Sequence, residues 1–505
     1  MKLLHQLTAK AASLLCLSAL TVGAHAADVP ESVTLFKNVK IFDGTSDKLK
    51  EGLDVLVVKN KIHKIAKDIP TEASFEVDTA GDAVRELPDV IGRGEYNFRV
   101  VDEAGKATKK SVKVNVIDGG GKTLMPGLID SHVHFNLMVQ GGPKGLESAT
   151  WEEIGVMSAA VSQEWLRNGF TTIRDMGGMY GGLRKAIDRG DIAGPRVYCC
   201  GGFISQTSGH GDFRFDSQAT PAEASTVKLG ISRLADGPAE MLKQTRENFA
   251  LGADYIKIMI GGGVSSEKDP LHSLQFTATE IEAAVESCKN WDTYVAAHVY
   301  HDAHIKRGLE LGVMCFDHAQ FISEETCLLL KEKGAFISPN MAGMTPDLLK
   351  HPVYGNPAGP QYPKVMEFME KSKRLGEVLR KVKPKIVFNT DIVFTTGIPM
   401  RNHIDFEKHY LADNIGNFEA LKAMTSTGGE LAALTGKNNP YPGKLGVIEE
   451  GALADILIVD GNPLEDITAI GAQPKWLDAE PRGVEVEPIK VIMKDVRFYK
   501  NTLTK

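Results

Sequence analysis

The chain has 505 residues, 43% of them hydrophobic, and a formal net charge of -7 at neutral pH. That length and apolar content support a large core and leave room for two domains. Acids and bases are interspersed, with no basic run beyond short patches such as 381–385, which excludes nucleic acid as the expected partner.

Residues 1–26 read as a secretory signal peptide: Lys2 and Lys10 flank an apolar stretch with Leu14, Leu15 and Leu17, and Ala24-His25-Ala26 supplies small residues before a cleavage point near Ala26. Loss of the two lysines takes the net charge from -7 to -9, and the mature protein is expected to be secreted or periplasmic. Cys16 follows Leu15 rather than a small residue, which argues against a lipid anchor. No later segment reaches the roughly 18 uncharged apolar residues that a membrane span needs, so no membrane anchor is expected. Cys199, Cys200, Cys288, Cys315 and Cys327 are odd in number and irregularly spaced, which is not a disulfide framework; the adjacent pair lies in an apolar run and is expected in the core.

Residues 27–123 open as a small β-region, with strand patterns over 33–36, 39–44, 53–58 and 62–65 and turns at Asp43-Gly44 and Asn60-Lys61. From 78 to 110 the sequence becomes charged and weakly periodic, which reads as an insertion on the surface. Over 124–441 the pattern changes to strand and helix in alternation. Strand candidates are 124–129, 170–173, 196–199, 255–258, 294–297, 313–316, 335–338 and 385–388, and helix candidates include 151–168, 238–251, 278–290, 304–311 and 324–333. Eight strands alternating with helices over this length predict an α/β fold, a (β/α)8 TIM barrel, whose functional residues sit where the strands end. A helix through Glu430 and Leu434 closes it. Residues 442–505 return to β character at 446–451, 454–461 and 489–492; these strands have no place in a closed barrel and are expected to join the N-terminal ones in one discontinuous β-sandwich domain.

The strand at 124–129 runs into His132 and His134, and alternation along a strand turns both imidazoles to one face, with Val133 on the other. Alone, such a pair is as readily two polar residues at a strand end. At the ends of the other strands, however, stand Lys257, His298, His318 and Asp391, and imidazoles with a carboxylate at one mouth suit zinc or a similar divalent metal. Lys257 lies mid-strand, where a charge in the interior is costly unless paired or altered. It either pairs with a neighbouring Asp or points outward, or, with its pKa lowered by burial, takes up carbon dioxide as a carbamate that can bridge two metal ions.

The runs GLIDSHVHF, ADYIKIMIGGGV, VAAHVYH, CFDHAQF and FNTDIV, with GKLGVIEEGALADILIVDGNPLEDI near the C-terminus, resemble the amidohydrolase superfamily. SQTSGHGDFR and IKIMIGGGVSS are similar to its imidazolonepropionase-like branch, which contains Xaa-Pro dipeptidases, carboxypeptidase-like dipeptidases and ochratoxin-cleaving amidases. The resemblance implies one metal held by His132, His134 and Asp391, a second by His298 and His318, and a carbamylated (N6-carboxy) Lys257 bridging them. It also implies assembly into homo-oligomers. Three features depart from the branch: Asn389-Thr390-Asp391 replaces Gly-Ser-Asp, Phe316-Asp317-His318-Ala319 replaces Ile-Glu-His-Gly, and His301 closely follows Tyr300.

Two divalent ions sharing a water make hydroxide near neutral pH and polarise a carbonyl. Asp391 is placed to take the proton and pass it to a departing nitrogen. His210 and Tyr300 are candidates for hydrogen bonds to the developing oxyanion or to a substrate carboxylate, and Arg174, Arg184, Arg214 and Arg401 for anchoring that carboxylate. His301 and His304 are expected as helix-start residues, and Asp175 with Gly177-Gly178 as turn chemistry. The expected function is hydrolysis of the amide bond of a dipeptide or N-acyl amino acid. Cyclic amides or lactones are an alternative enzymatic class, Lys257 speaks against deamination, and a non-catalytic barrel scaffold is the alternative outside enzymology.

Overall fold

The computed structural model describes residues 33–71, 73–77, 84–87, 95–101 and 107–503. The signal-like segment 1–26 lies outside them. The chain divides into two compact units, 34–69 with 116–505, and 1–33 with 70–115.

In the smaller unit Ala73–Val77 pairs antiparallel with Val84–Leu87 and parallel with Glu95–Val101, which in turn pairs antiparallel with Ala107–Asp118. The strands Val84–Leu87 and Glu95–Val101 therefore fall within the stretch expected to be weakly periodic. The alternation of Tyr96, Phe98 and Val100 with polar residues is the strand signal that the surrounding charges obscured.

In the larger unit, strands from both ends of the chain share a sheet. Val33–Ile41 pairs parallel with Thr123–Pro126, which pairs antiparallel with Ile456–Val459; Ile489–Lys494 and Arg497–Asn501 continue on that side. Lys50–Val58 and Lys61–Ala66 form a hairpin beside Val33–Ile41. The two segments expected at 33–36 and 39–44 are one strand. The segment expected at 446–451 is a turn instead: Gly446 and Gly451 have φ of 73° and 88°, conformations that break a ladder. Phe36, Ile41, Val57, Leu124, Ile456, Ile458 and Val491 fill one side of this sheet with a continuous apolar core.

The rest of the larger unit is α/β with parallel strands. One sheet runs Arg196–Cys199, Phe170–Asp175, Leu128–Val133; the other runs Ser232–Leu234, Phe203–Ser205, Ile256–Met259, Val295–His301, Cys315–Phe321, Phe336–Ser338, Lys385–Ile386. The backbone N–H of Asp254 donates to Cys199 O at 2.7 Å, and that of Ser131 donates to Phe388 O at 2.9 Å, so main-chain hydrogen bonds link the two series at both ends. The expected strands follow in order, but the first, expected at 124–129, is divided at Gly127: Thr123–Pro126 joins the sheet built from both chain ends and Leu128–Val133 the parallel one. The third is split at Gly201-Gly202, and its second piece, Phe203–Ser205, makes the pairing to Ile256–Met259.

Helices Trp151–Arg167, Pro238–Ala250, Ala278–Asn290, Asp302–Glu310 and Glu324–Glu332 lie within two residues of their expected bounds. Their starts are locally encoded. Thr150 Oγ1 accepts from Glu153 N, and Thr277 with Glu280 forms a capping box. Gly397–Ile415 went unpredicted because it is buried on several sides, with Asn402, Asp405, Glu407 and Lys408 among its interior residues, and so lacks a clean apolar stripe.

Lys408 gives a test of the interior. Its ammonium donates to Ile470 O at 3.0 Å, lies 3.6 Å from Asp405 Oδ1 and sits over the Phe170 ring. Burial pushes its pKa from 10.5 down to about 8. Between these values the unfolded chain holds a proton that the folded chain has released, so stability rises with pH across the window, by up to about 3 kcal/mol. Urea unfolding of the native protein should shift to higher midpoint between pH ~8 and ~10, and Lys408→Met should lose that shift.

Candidate metal centre

The geometry brings the expected residues to the ends of the parallel strands. His132 Nε2 and His134 Nε2 lie 3.1 Å apart, and Asp391 Oδ1 is 3.3 Å from the first and 3.4 Å from the second. His318 Nδ1 is 3.8 Å from Asp391 Oδ2, and His132, His318 and Asp391 offer ligand atoms all within 4.8 Å of one another. The Asp391 backbone N–H donates to His132 O at 3.0 Å, and Thr390 Oγ1 donates to the buried Asp130 at 2.7 Å, so the last strand segment is laced to the first. His318, Ala319 and Asp391 have φ of 70°, 54° and 45°. Three non-glycine residues in the left-handed region at one site are the kind of strain that a fold keeps where function needs it.

Under this cluster sits Asp317, fully buried. Its Oδ1 accepts from His132 Nδ1 at 3.1 Å and from an Arg174 guanidinium nitrogen at 3.1 Å, and its Oδ2 accepts from Lys257 Nζ at 2.5 Å. Burial alone would raise the Asp317 pKa, but Lys257 and His132 hold it far below the usual carboxylate range. Lys257 therefore stands as the partner of a neighbouring aspartate, one of the alternatives that its sequence position left open. A carboxylate only accepts, so His132 Nδ1 carries the hydrogen toward Asp317, and its Nε2 faces His134 and Asp391.

His298 stands next to His318, with ring centroids 4.6 Å apart, and its Nε2 is 3.3 Å from Gly262 O. Burial first, then the neighbouring His210 and His318, push the His298 pKa well down; burial pushes that of His318 down to about 3. Both are neutral at ordinary pH. His210 stacks on His298 at 4.0 Å, and Tyr300 lies 5.0 Å from His298 and 5.4 Å from His318, packed against Phe321 and Phe368.

The four candidate arginines all have acidic partners: Arg174 binds Asp317, Arg184 Asp254, Arg214 Asp212 and Arg401 Glu164. Arg174 is interior rather than at the mouth. His301 stands at the N-cap position of the helix that includes His304, and Asp175 accepts from Gly177 N, which is turn chemistry as expected, and also from Phe135 N, which ties the second strand to the segment after the first. Asp317 is the residue the sequence did not point to. Strand alternation sets the neighbour of an inward His318 on the opposite side, and only the left-handed backbone at His318 and Ala319 lets both reach the cluster.

The residues fit a metal ion. Ligands about 2.0–2.1 Å from a tetrahedral ion lie roughly 3.3 Å from one another, which is the spacing of His132, His134 and Asp391. Burial depresses the pKa of His134, so its imidazole is neutral, and Asp391 is held well below the carboxylate range against its burial by His132, His134 and His318. A neutral imidazole beside an ionised carboxylate is a donor set that a divalent cation takes, whereas Asp317 and Asp391 raise the pKa of His132 against its burial, so metal binding there competes with a proton.

Residues 123–493 match the amidohydrolase family, and the chain belongs to it. It is similar to ochratoxinase from Aspergillus niger, at 29% identity over 375 residues, 68% of this chain and 71% of that protein. Among solved structures it is similar to an amidohydrolase, with TM-score 0.74 and 29% identity, covering 94% of this chain and 100% of the other. A prolidase solved with N-methylphosphonate-L-proline also has TM-score 0.74, at 28% identity over 93% and 100% of the two chains. A Xaa-Pro dipeptidase with methionine in its active site has TM-score 0.69, at 25% identity over 93% and 100%. Family and relatives together support hydrolysis of amide or peptide bonds.

Asp317 orients a ligand it does not replace, so Asp317→Asn should weaken metal binding by about 10- to 100-fold. A competitive titration against a chromophoric chelator measures this. Native affinity in the variant would mean that Asp317 has no part in ligand orientation.

Proposed function

We propose that the protein is a binuclear metal-dependent amidohydrolase that cuts the amide bond of a dipeptide or an N-acyl amino acid, releasing the C-terminal residue. The observation that carries this reading is the gathering of His132, His134, His298, His318, Asp391 and the Lys257–Asp317 pair where parallel strands end. In this reading the parallel strands are a (β/α)8 barrel at 124–441, the strands from both chain ends are its sandwich domain, and residues 1–26 direct a secreted or periplasmic enzyme that assembles as a homo-oligomer.

His132, His134 and Asp391 would hold one ion and His298 and His318 the other, zinc being the metal that suits imidazole and carboxylate. Carbamylation of Lys257 leaves one hydrogen on Nζ, so the bond to Asp317 survives while two new oxygens become available. Two divalent ions bound there would supply an acidic water and polarise the substrate carbonyl. Asp391, with a side chain 25% exposed, receives the proton as the carbonyl carbon is attacked and delivers it to the departing nitrogen. Tyr300, whose buried hydroxyl has its pKa raised well above the ordinary value by burial, stays protonated and donates to the developing oxyanion. His210 lies against His298 and contacts the same substrate. The relatives' names, ochratoxinase, prolidase and Xaa-Pro dipeptidase, point to the same bond class.

The test is amino-acid release from a library of dipeptides and N-acyl amino acids, with zinc and bicarbonate supplied. Release should stop with a chelator, and Asp391→Asn should lower kcat by about 10²- to 10⁴-fold. No release by protein carrying two ions per chain would sink the peptidase reading in favour of cyclic amides or lactones.

A further inference from the structure

The strand Ile256–Met259 is followed by a long loop, 260–276, that opens with Gly261-Gly262-Gly263. Successive glycines give the backbone little conformational preference, so the path of this loop is set by what it is bonded to. One tie is internal: Asp269 Oδ2 accepts from Gly263 N at 2.7 Å. The other is Lys364, on helix Tyr362–Ser372, which lies in the excursion between Phe336–Ser338 and Lys385–Ile386. Its ammonium donates to Gly263 O, Ser266 O and Asp269 O at 2.9, 2.9 and 2.6 Å and lies 3.6 Å from Asp269 Oδ1. An ammonium has three hydrogens, and each of them ends on this loop. Gly263, Ser266 and Asp269 are themselves buried, so loss of the ammonium would take a charged donor from three carbonyls that water reaches poorly.

This fastening lies beside the metal cluster. Gly262 O is 3.3 Å from His298 Nε2. On the helix, Phe368 meets the Tyr300 ring edge-on with centroids 5.2 Å apart, and Leu271 of the loop packs into the same apolar group. Tyr300 in turn lies 5.4 Å from His318. Loop and helix therefore meet over the side chains that face the substrate. Lys364 joins them by charge and hydrogen bonds, while Val264, Leu271, Phe368 and Met369 supply the apolar part of the contact.

We propose that Lys364 is a specificity-determining residue: it latches loop 260–276 to helix Tyr362–Ser372 as a roof over the cluster, so that the site takes short amides, a dipeptide or an N-acyl amino acid, and excludes longer peptides. Hydrogen bonds to main-chain carbonyls suit a latch, because they fix the course of the loop and so the space above the cluster, without touching the reacting atoms. This rests on the reading of the cluster as an amide-hydrolysing site.

Two measurements on the full-length, metal-loaded protein test it. Hydrogen exchange read by mass spectrometry should show the amides of 260–276 and 362–372 exchanging about tenfold or more faster in Lys364→Met than in the native protein, with metal content unchanged. In kinetics, the ratio of kcat/KM for a tripeptide to that for the dipeptide with the same scissile bond should rise by about tenfold or more in the variant. Lys364→Gln, which keeps an amide donor, should fall between the two and carries the same test where Lys364→Met does not fold. A ratio that stays put while both substrates lose activity in parallel makes Lys364 a structural residue only and overturns the proposal, as does native exchange in both segments. If the native protein cleaves no amide, the proposed function fails by itself, and hydrogen exchange still upholds or overturns the latch.

Discussion

Asp317 is the buried anion on which the charged side chains beneath the metal cluster converge. Lysine, arginine and histidine side chains all end on its two oxygens, from the strands that carry Lys257, Arg174 and His132. A lone buried cation costs several kcal/mol, and so does a lone buried carboxylate; the cluster exists because each cancels the other. The result is a floor in which one carboxylate answers two cations and fixes the direction of His132, while burial keeps His134, His298 and His318 neutral. Removing Lys257 or Arg174 would disturb His132 through Asp317 without touching it.

The alternation of strand and helix from Leu124 was legible because each strand is short, apolar and followed by a capped helix, and the ligand types stand at strand ends where an active site is expected. His132 and His134 could be placed on one face by alternation alone. What could not be read was what depends on contacts distant in sequence or on backbone outside the regular regions. Asp317 belongs to the first kind, because its partners lie 60 to 185 residues away. The turn at Gly446 belongs to the second, since an apolar run flanked by glycines looks like a strand until its φ is known. Helix Gly397–Ile415 was missed because Glu407 and Lys408 are charged yet buried, Glu407 accepting from Met341 N and Ala342 N and Lys408 donating to Ile470 O.

The resemblance in the motifs and the geometry of the site converge on the amidohydrolase family by separate routes. Motifs name residue types at spacings, whereas the structure tests whether their ligand atoms meet, and those of His132, His134 and Asp391 do. Lys257 is where the routes inform each other: the sequence singled it out as a charge in an apolar strand, and the structure gives it Asp317. Both the paired ammonium and a carbamate keep a hydrogen on Nζ for that aspartate, so the same contact serves either state.

The strands Thr123–Pro126 and Ile456–Val459 are neighbours in one sheet although more than 300 residues separate them. On the ribosome the early strands therefore emerge long before their partners exist. Leu124, Ile41 and Val57 stay without their apolar cover until Ile456, Ile458 and Val491 have been made. Those strands present open edges and bare apolar surface for the whole of that interval, the condition under which nascent chains associate wrongly and holding chaperones are recruited. Productive folding of this sheet thus waits for the strands Ile456–Val459 and Ile489–Lys494 rather than for those that emerge first.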